Sequence, residues 1–163
     1  MAELLDQNEI FWTPFEPKQV NRFIMYIDGI PSFMIKMTDR PKMSSGVVTL
    51  DHINLQRKVK GKSTWEALNI SLYDPVAPSA AQAAMEWIRL SHEAVTGRDG
   101  YSDFYKKDIT INALGPVGDK VEEWTIYGAW VSNFDGGSLD YSTADTAVNV
   151  NLTLQFDYAV LQF

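Results

Sequence analysis

The chain of 163 residues contains no cysteine. This absence excludes disulfide bonds, thiolate metal sites and cysteine nucleophiles, and it fits folding in a reducing compartment. A chain of this length can bury a sizeable hydrophobic core without such cross-links. We therefore expect a single domain over residues 1–163.

Basic residues are scarce as well. The sequence has 14 Lys and Arg against 21 Asp and Glu, which gives a formal net charge of −7 and an isoelectric point near 4.7. A protein that holds nucleic acid needs clustered Lys and Arg to neutralise phosphates. The composition therefore argues against tight nucleic-acid binding, although it tolerates nucleic acid nearby.

Long apolar stretches are also missing. No run approaches the ~18 residues of a membrane-spanning helix. Residues 1–9 are acidic and lack the basic start and apolar centre of a secretion signal. These features predict a soluble protein made inside the cell, with no membrane partner.

Residues that could carry catalysis are few. The two histidines, His52 and His92, lie in different predicted elements, with no serine or aspartate at a catalytic spacing. Asp99, Asp103 and Asp108 do not have the spacing of a calcium loop, and no nucleotide-binding glycine motif is present. The sequence predicts no catalytic site, no metal site and no cofactor.

The clearest pattern that is present is an alternation near the C-terminus. Residues 147–158 place apolar side chains on one face and Asn149, Asn151, Thr153, Gln155 and Asp157 on the other. A period of two predicts a strand with one buried face, and twelve residues would span ~40 Å. Exposed strand positions usually carry Lys, Glu or Arg, so the shortage of charge requires an explanation.

A second segment repeats that pattern. In residues 65–73 the apolar set Leu68, Ile70 and Leu72 alternates with Asn69, Ser71 and Tyr73, which are again polar and uncharged. One explanation is an outer sheet that happens to carry little charge. The other is a face that lines a shared water-filled channel or contacts another subunit.

The remaining segments predict more β-structure and one helix. Residues 23–27 and 33–37 flank a glycine-containing turn and predict a β-hairpin, and residues 47–62 predict one strand with a basic stripe. Residues 107–114 and 121–132 predict a second hairpin. Together with the alternating segments, they favour a mainly β fold, an antiparallel sandwich or barrel with one flanking helix.

The helix is predicted over residues 80–96. Pro78-Ser79 is a start signal and Gly97 is a stop signal. The side chains at helical spacing form an apolar stripe that should pack against the sheet: Ala84, Trp87, Ile88, Ser91 and Val95.

Two segments suggest contacts outside the subunit. The arm, residues 1–20, carries Ile10, Phe11, Trp12 and Phe15 among polar residues and two prolines, Pro14 and Pro17, that prevent a regular helix. It either folds back onto the core or reaches another subunit. The basic stripe contains Arg57, Lys58, Lys60 and Lys62, and such a stripe more often meets an acidic neighbour than a phosphate.

The order of several motifs resembles that of the tail tube proteins of contractile-tailed bacteriophages. The resemblance covers nearly the whole chain, and the motifs are LQRKVKGKSTW at 55–65, NISL at 69–72, MEWI at 85–88, YKKDI at 105–109, YGAWV at 127–131, LDY at 139–141 and VNLTLQFDY at 150–158. Length and element order also match. The resemblance implies a structural protein without an active site or cofactor.

The same resemblance implies an assembly. Tube proteins form hexameric rings that stack into the inner tail tube of the virion, built in the host cytoplasm, and DNA crosses the lumen without specific binding. The implied partners are the sheath protein, the baseplate and the tape measure protein. Residues expected to line the channel are Asn69, Ser71, Asn149, Asn151, Thr153 and Gln155. Residues expected at subunit contacts are Phe11, Trp12, Phe15, Arg57, Lys58 and Lys60.

Two alternatives to a phage tail tube stay open at this point. One is the tube of a phage-derived secretion or bacteriocin particle. The other is a monomeric β-sandwich in which the aromatic arm, or Trp65 together with Trp124, contributes a ligand surface. A size measurement separates an assembly from a monomer of 18.4 kDa.

Overall fold

The computed structural model describes Asp6 and residues 11–163. Its elements in chain order are β1 (Phe23–Tyr26), a 3-10 turn (Ser32–Met34), β2 (Ile35–Thr38), β3 (Met43–His52), β4 (Leu55–Trp65), β5 (Leu68–Tyr73), α1 (Ala80–Ser91), α2 (Ser102–Tyr105), β6 (Lys107–Leu114), β7 (Lys120–Asp135), β8 (Asn149–Gln155) and β9 (Tyr158–Leu161). The predicted fold class, mainly β with one main helix, is confirmed.

Seven strands form one antiparallel sheet in the order β1-β6-β7-β8-β5-β2, with β9 paired to β7. Strand β7 joins the two halves, because its first part pairs with β6 and β9 while Trp130–Asp135 pair with β8. Gly128 lies at this change of partner with a φ of 68°, which glycine adopts without steric cost. The sheet therefore bends at β7, and buried side chains from both halves meet in one core.

The apolar positions of the two alternating segments are buried as the sequence predicts. Val150, Leu152 and Leu154 of β8 are buried, as are Leu68, Ile70 and Leu72 of β5. Phe156 and Trp65 pack beside this set, with their ring centroids 5.7 Å apart. These apolar side chains account for the register between β5 and β8, because a slip of one residue would expose them all.

Helix α1 covers part of this core. The Ser79 side chain accepts the Gln82 N–H at 3.4 Å and caps the first turn. Ala84 and Trp87 are buried, and the Trp87 indole donates to the Tyr105 carbonyl at 2.7 Å. The start and the packing face are as the sequence predicts.

The end of the helix is not where the sequence predicts it. α1 stops at Ser91, and His92 is extended with a φ of −149°. The chain then turns back, and the Gly100 N–H donates to the Ser91 carbonyl at 2.9 Å. Val95 is therefore exposed and does not belong to the buried stripe.

The predicted hairpin over residues 23–37 was wrong. β1 pairs with β6 and β2 pairs with β5, so the two strands lie at opposite ends of the sheet. Ile30 and Met34 between them are buried. The connecting segment crosses the molecule because its apolar residues pack in the core, which outweighs the local turn preference.

Two strand lengths also differ from the prediction. Residues 47–62 contribute to two strands, β3 and β4, which reverse at Ile53, a residue with a φ of 52°. The predicted twelve-residue strand ends at Gln155 as β8. There the Asp157 N–H donates to the Tyr127 carbonyl at 3.0 Å, and the chain changes partner to become β9.

No helix in the described part of the chain is long and apolar enough to span a bilayer.

Candidate assembly surfaces

One surface of the sheet carries all six residues predicted to line a channel. We call it the neutral face, and it comprises Asn69, Ser71 and Tyr73 of β5 with Asn149, Asn151, Thr153 and Gln155 of β8. The pairs Asn69–Thr153, Ser71–Asn151 and Tyr73–Asn149 are in register. Directly paired residues point to the same side of an antiparallel sheet, so two segments far apart in sequence form one surface.

Hydrogen bonds organise part of this face. The Thr153 hydroxyl donates to the Asn69 amide oxygen at 3.3 Å, and the Asn69 amide donates to Asp39 at 3.3 Å. Asn151 and Gln155 are exposed, whereas Ser71 is only 7% exposed. Ser71 is therefore a poorer candidate for contact with the contents of a channel than its neighbours.

The register extends the neutral face onto β7 and β2, which the sequence analysis did not include. Asn133 and Asp135 of β7 pair with Thr153 and Asn151, and Met37 of β2 pairs with Ser71. Residues of β2 were missed because the expected hairpin assigned that strand to the wrong partner. Charge enters this face at its borders. Asp135 lies at the β7 border, and Asp39 lies beside Asn69 at the end of β2. Lys36 of β2 places its ammonium 5.5 Å from the Tyr73 ring centre.

Both borders of this four-stranded half are open. Within the described residues, β2 pairs only with β5, and Trp130–Asp135 of β7 pair only with β8. An exposed strand edge offers unpaired N–H and C=O groups to another chain. The two edges lie on opposite sides of the neutral face, so identical copies could join side by side into a continuous sheet.

Strands β3 and β4 form a separate two-stranded ribbon, Met43–Trp65. At ~3.3 Å per residue it is about 33 Å long, and every residue of β3 is exposed. A two-stranded hairpin is only marginally stable by itself in water. A ribbon of this length with so little support in its own subunit indicates a contact with another molecule.

The predicted basic contact residues all lie on this ribbon. The pairs Val48–Val59 and Leu50–Arg57 occupy one face, and Thr49–Lys58 and Val47–Lys60 occupy the other. Arg57, Lys58 and Lys60 are exposed, and none forms an ion pair with the described part of its own chain. They are available to an acidic neighbour and lie outside the neutral face.

The aromatic arm is exposed where the structure describes it. Phe11, Trp12 and Phe15 are 70–76% exposed, so they do not fold back into the core of their own subunit. Ile10 lies outside the described residues. Of the two alternatives for the arm, exposure of these three side chains favours the one that reaches another subunit.

The end of the arm joins a buried carboxylate that the sequence analysis missed. The side chain of Glu122 is 7% exposed, forms an ion pair with Lys18, lies 3.4 Å from Arg40 and accepts a hydrogen bond from the Trp124 indole. The hydrogen bond from Lys18, more than the cost of burial, holds the pKa of Glu122 below its usual range. The sequence did contain an indication of this burial. Glu122 alternates with period two in β7 with Trp124 and the fully buried Ile126, which places it on the same face of the strand.

Glu122 and Trp124 line a cleft of about 550 Å³ between the arm and strands β2 and β6. Lys18, Arg22, Lys36 and Arg40 also line it. Trp65, by contrast, packs against Phe156 at the core. The two tryptophans considered for a ligand surface therefore do not come together, which weighs against a monomeric binding module.

The residues examined for catalysis form no constellation. His92 Nδ1 and Asp99 Oδ1 are 2.7 Å apart on the exposed loop after α1. His52 ends β3 and lies at the turn of the ribbon, opposite Leu55. In the part of the chain that the structure describes, no group of three His, Cys, Asp or Glu residues could hold a metal ion.

Comparison with known families decides the class of this protein. A family model described as T4-like virus tail tube protein gp19 matches residues 19–160. The chain belongs to this tail tube family. The family is structural and not enzymatic, which confirms both the resemblance and the expectation that the chain is no enzyme.

Solved structures show the same tube-protein fold. A chain in the cryo-EM structure of an extracellular contractile injection system, the PVC sheath-tube complex in the extended state, is similar with a TM-score of 0.69 and 21% identity, over 90% of this chain and 91% of that chain. A chain of the anti-feeding prophage tube-terminating cap has a TM-score of 0.69 and 21% identity, over 92% and 93%. Hcp1 from Flavobacterium johnsoniae is more distant, with a TM-score of 0.50 and 9% identity over 86% and 94%. A search of curated protein sequences found none that is significantly similar to this chain.

Proposed function

We propose that this tail tube protein assembles as hexameric rings that stack into the hollow inner tube of a contractile phage tail. In this proposal residues 1–163 form one tube domain with residues 1–20 as its arm. The observation that carries it is the neutral face, a surface of Asn, Ser, Thr and Gln side chains bordered by two open strand edges. Membership of the tail tube family supports the tube itself.

The proposed ring closes through the two edges. Strand β2 of one subunit pairs with Trp130–Asp135 of the next, so that four strands from each of six subunits form one barrel. Closure satisfies backbone groups that would otherwise remain open to non-specific pairing. The neutral face then lines the lumen.

The proposed cargo is DNA that crosses this lumen without being held. Each Lys or Arg on the wall would add a salt-dependent attraction to phosphate. Neutral amides and hydroxyls on an acidic protein avoid that attraction and let a polyanion move. The proposed partners are therefore the sheath protein outside, the baseplate at one end and the tape measure protein inside the virion tail.

A second candidate is the tube of a related injection particle that carries a different cargo. Its support is specific, because the similar solved structures include the PVC particle and the anti-feeding prophage. The subunit architecture would be the same in both cases. Detection of DNA in particles that contain this protein separates the two.

Assembly is the direct test. At high concentration, or with a baseplate present, the purified protein should form six-fold rings or stacked tubes in negative-stain micrographs. A protein that remains at 18.4 kDa under both conditions would overturn the proposal.

The number of subunits in a ring can be counted by disulfide cross-linking. The native chain has no cysteine, so only introduced cysteines can form disulfides. Met37 and Asp135 lie in the same cross-strand row with two strands between them, which separates them by ~14 Å. That distance is too long for a disulfide within one subunit. Met37→Cys combined with Asn133→Cys or with Asp135→Cys should give an oxidised ladder that ends at six subunits, whereas each single variant should stop at dimers.

A further inference from the structure

We infer that the ribbon of one subunit docks on the acidic loop, residues 135–148, of a second copy of this chain. The inference rests on the proposed tube assembly and identifies which surfaces of two subunits meet. The ribbon and the acidic loop are both exposed in the single subunit, so neither covers the other.

The docking face of the ribbon is apolar with a cation at its centre. Val48, Leu50, Leu55 and Val59 are 46–71% exposed on one side of the ribbon. Arg57 lies on the same side, directly opposite Leu50. Such a face needs a partner that supplies apolar side chains together with a carboxylate.

The acidic loop supplies both. It contains Asp135, Asp140 and Asp145 and no Lys or Arg. Leu139 is 87% exposed and Tyr141 is fully exposed on either side of Asp140. The loop thus presents two large apolar side chains beside acidic groups. This is the combination that a partner of the ribbon face must supply.

The charge of the whole chain favours this pairing between copies. The ribbon carries Asp51 against Arg57, Lys58, Lys60 and Lys62, a net charge of +3. Since the chain totals −7, the rest of each subunit carries −7 − 3 = −10. Arg57 lies on the docking face, whereas Lys58 and Lys60 lie on the opposite face. Their positive charge therefore steers the ribbon towards the acidic body of another copy and does not itself form the contact.

Local hydrogen bonds hold the loop in the presenting conformation. The Asp140 carboxylate accepts the Ser142 N–H at 2.9 Å and its hydroxyl at 2.8 Å, and the Asp135 carboxylate accepts the Gly137 N–H at 2.9 Å. Asp140 keeps a pKa below its ordinary value because of these bonds from Ser142. The two turns at residues 135–137 and 140–142 are thus ordered before the loop is covered, which lowers the entropic cost of docking there.

Cross-linking between copies tests the contact. In a chain without native cysteine, Leu50→Cys combined with Tyr141→Cys should be joined between subunits of assembled tubes by a short bismaleimide. The matched control is Thr49→Cys with Tyr141→Cys, because Thr49 is the next residue along β3 and points to the opposite face. We expect a covalent ladder in the first variant and at least several-fold less product in the control.

A coupling measurement covers the case in which the cysteine variant does not polymerise. Leu50→Ser and Tyr141→Ser should each raise the critical concentration of polymerisation by about tenfold, since each removes a buried apolar contact. If the two side chains touch, the double variant should be clearly less impaired than the product of the single effects. Thr49→Ser with Tyr141→Ser should show no such coupling.

These experiments distinguish a failure of the docking inference from a failure of the proposed tube function. Tubes that form normally but show equal cross-linking in both cysteine pairs, or strictly multiplicative effects in the serine variants, would overturn the docking inference and leave the tube function intact. Absence of rings and tubes for the native chain would overturn both.

Discussion

At the scale of single residues, Glu122 connects segments that are far apart in the sequence. It lies on β7, pairs with Lys18 at the end of the arm and lies close to Arg40, which precedes the ribbon. A carboxylate buried to this extent is stable only when such partners remain in place. Glu122 thus fixes where the arm and the ribbon leave the body of the subunit.

We predict that Glu122→Gln lowers the free energy of unfolding by about 1–2 kcal/mol at neutral pH, because bonds to a charged group are lost. The folded-state pKa of Glu122 is lowered from 4.5. Its stabilisation is therefore fully present above the unfolded-state pKa and disappears as the pH falls through the folded-state value. Denaturant unfolding at a series of pH values should show the two proteins converging below pH 4.5.

The neighbouring residue provides the control for that experiment. Glu123 forms a more exposed pair with Lys120 at 2.7 Å, so Glu123→Gln should change the stability by less than about 0.5 kcal/mol. A loss from Glu122→Gln that stays constant down to the lowest pH would show that its charge is not the cause.

At the scale of elements, the sequence predicted which face of a strand is buried better than it predicted which strands pair with each other. The alternation in β5 and β8 identifies the buried and the neutral side correctly, since a period of two is a local property of a strand. It does not indicate that β1 joins β6 or that β2 joins β5, because those pairings depend on the burial of Ile30 and Met34 between them. The sequence therefore predicted the centre of the neutral face, on β5 and β8, and missed its borders on β2 and β7.

The arm yields a prediction at this scale. Phe11, Trp12 and Phe15 are exposed, whereas Lys18 contacts the body of the subunit through Glu122. Deletion of residues 2–16 keeps that ion pair, and it removes the exposed pair between Glu16 and Arg22, whose charged atoms are 3.9 Å apart. The thermal midpoint of the monomer should change by no more than about 2 °C. Polymerisation should be abolished, since in the proposed assembly the aromatic groups dock on a neighbour.

A deletion that begins at residue 2 and extends to residue 18 serves as the comparison, because it also removes the Lys18 partner of Glu122. It should be less stable than the shorter deletion. If the shorter deletion alone strongly destabilised the monomer, the arm would have to fold back on its own subunit.

At the scale of the whole molecule, the different surfaces of the subunit carry different net charges. The ribbon is basic, the acidic loop carries only acids, and the neutral face has charge only near its borders. A net charge of −7 on every subunit produces a general repulsion between copies. In the proposed assembly, complementary patches allow association in defined orientations, which a uniformly acidic surface would oppose.

The neutral face gives the prediction that tests the proposed channel. Asn151 is exposed at its centre, so Asn151→Lys should cost the folded subunit only about 0.5 kcal/mol and leave tubes of normal length. In a hexameric ring it adds six positive charges to the wall, repeated in every ring. Virions with this change should adsorb and contract normally but eject DNA slowly, with recovery at higher salt, because each phosphate contact is weakened by salt. Thr153→Lys should behave in the same way.

The matched controls for the channel experiment are Asn151→Gln, which keeps the position neutral, and Val117→Lys, which adds the same charge at the exposed turn between β6 and β7. Virions with either control should eject DNA at the native rate. Native ejection from Asn151→Lys tubes that are shown to contain the lysine would mean that this face of the sheet does not line the channel.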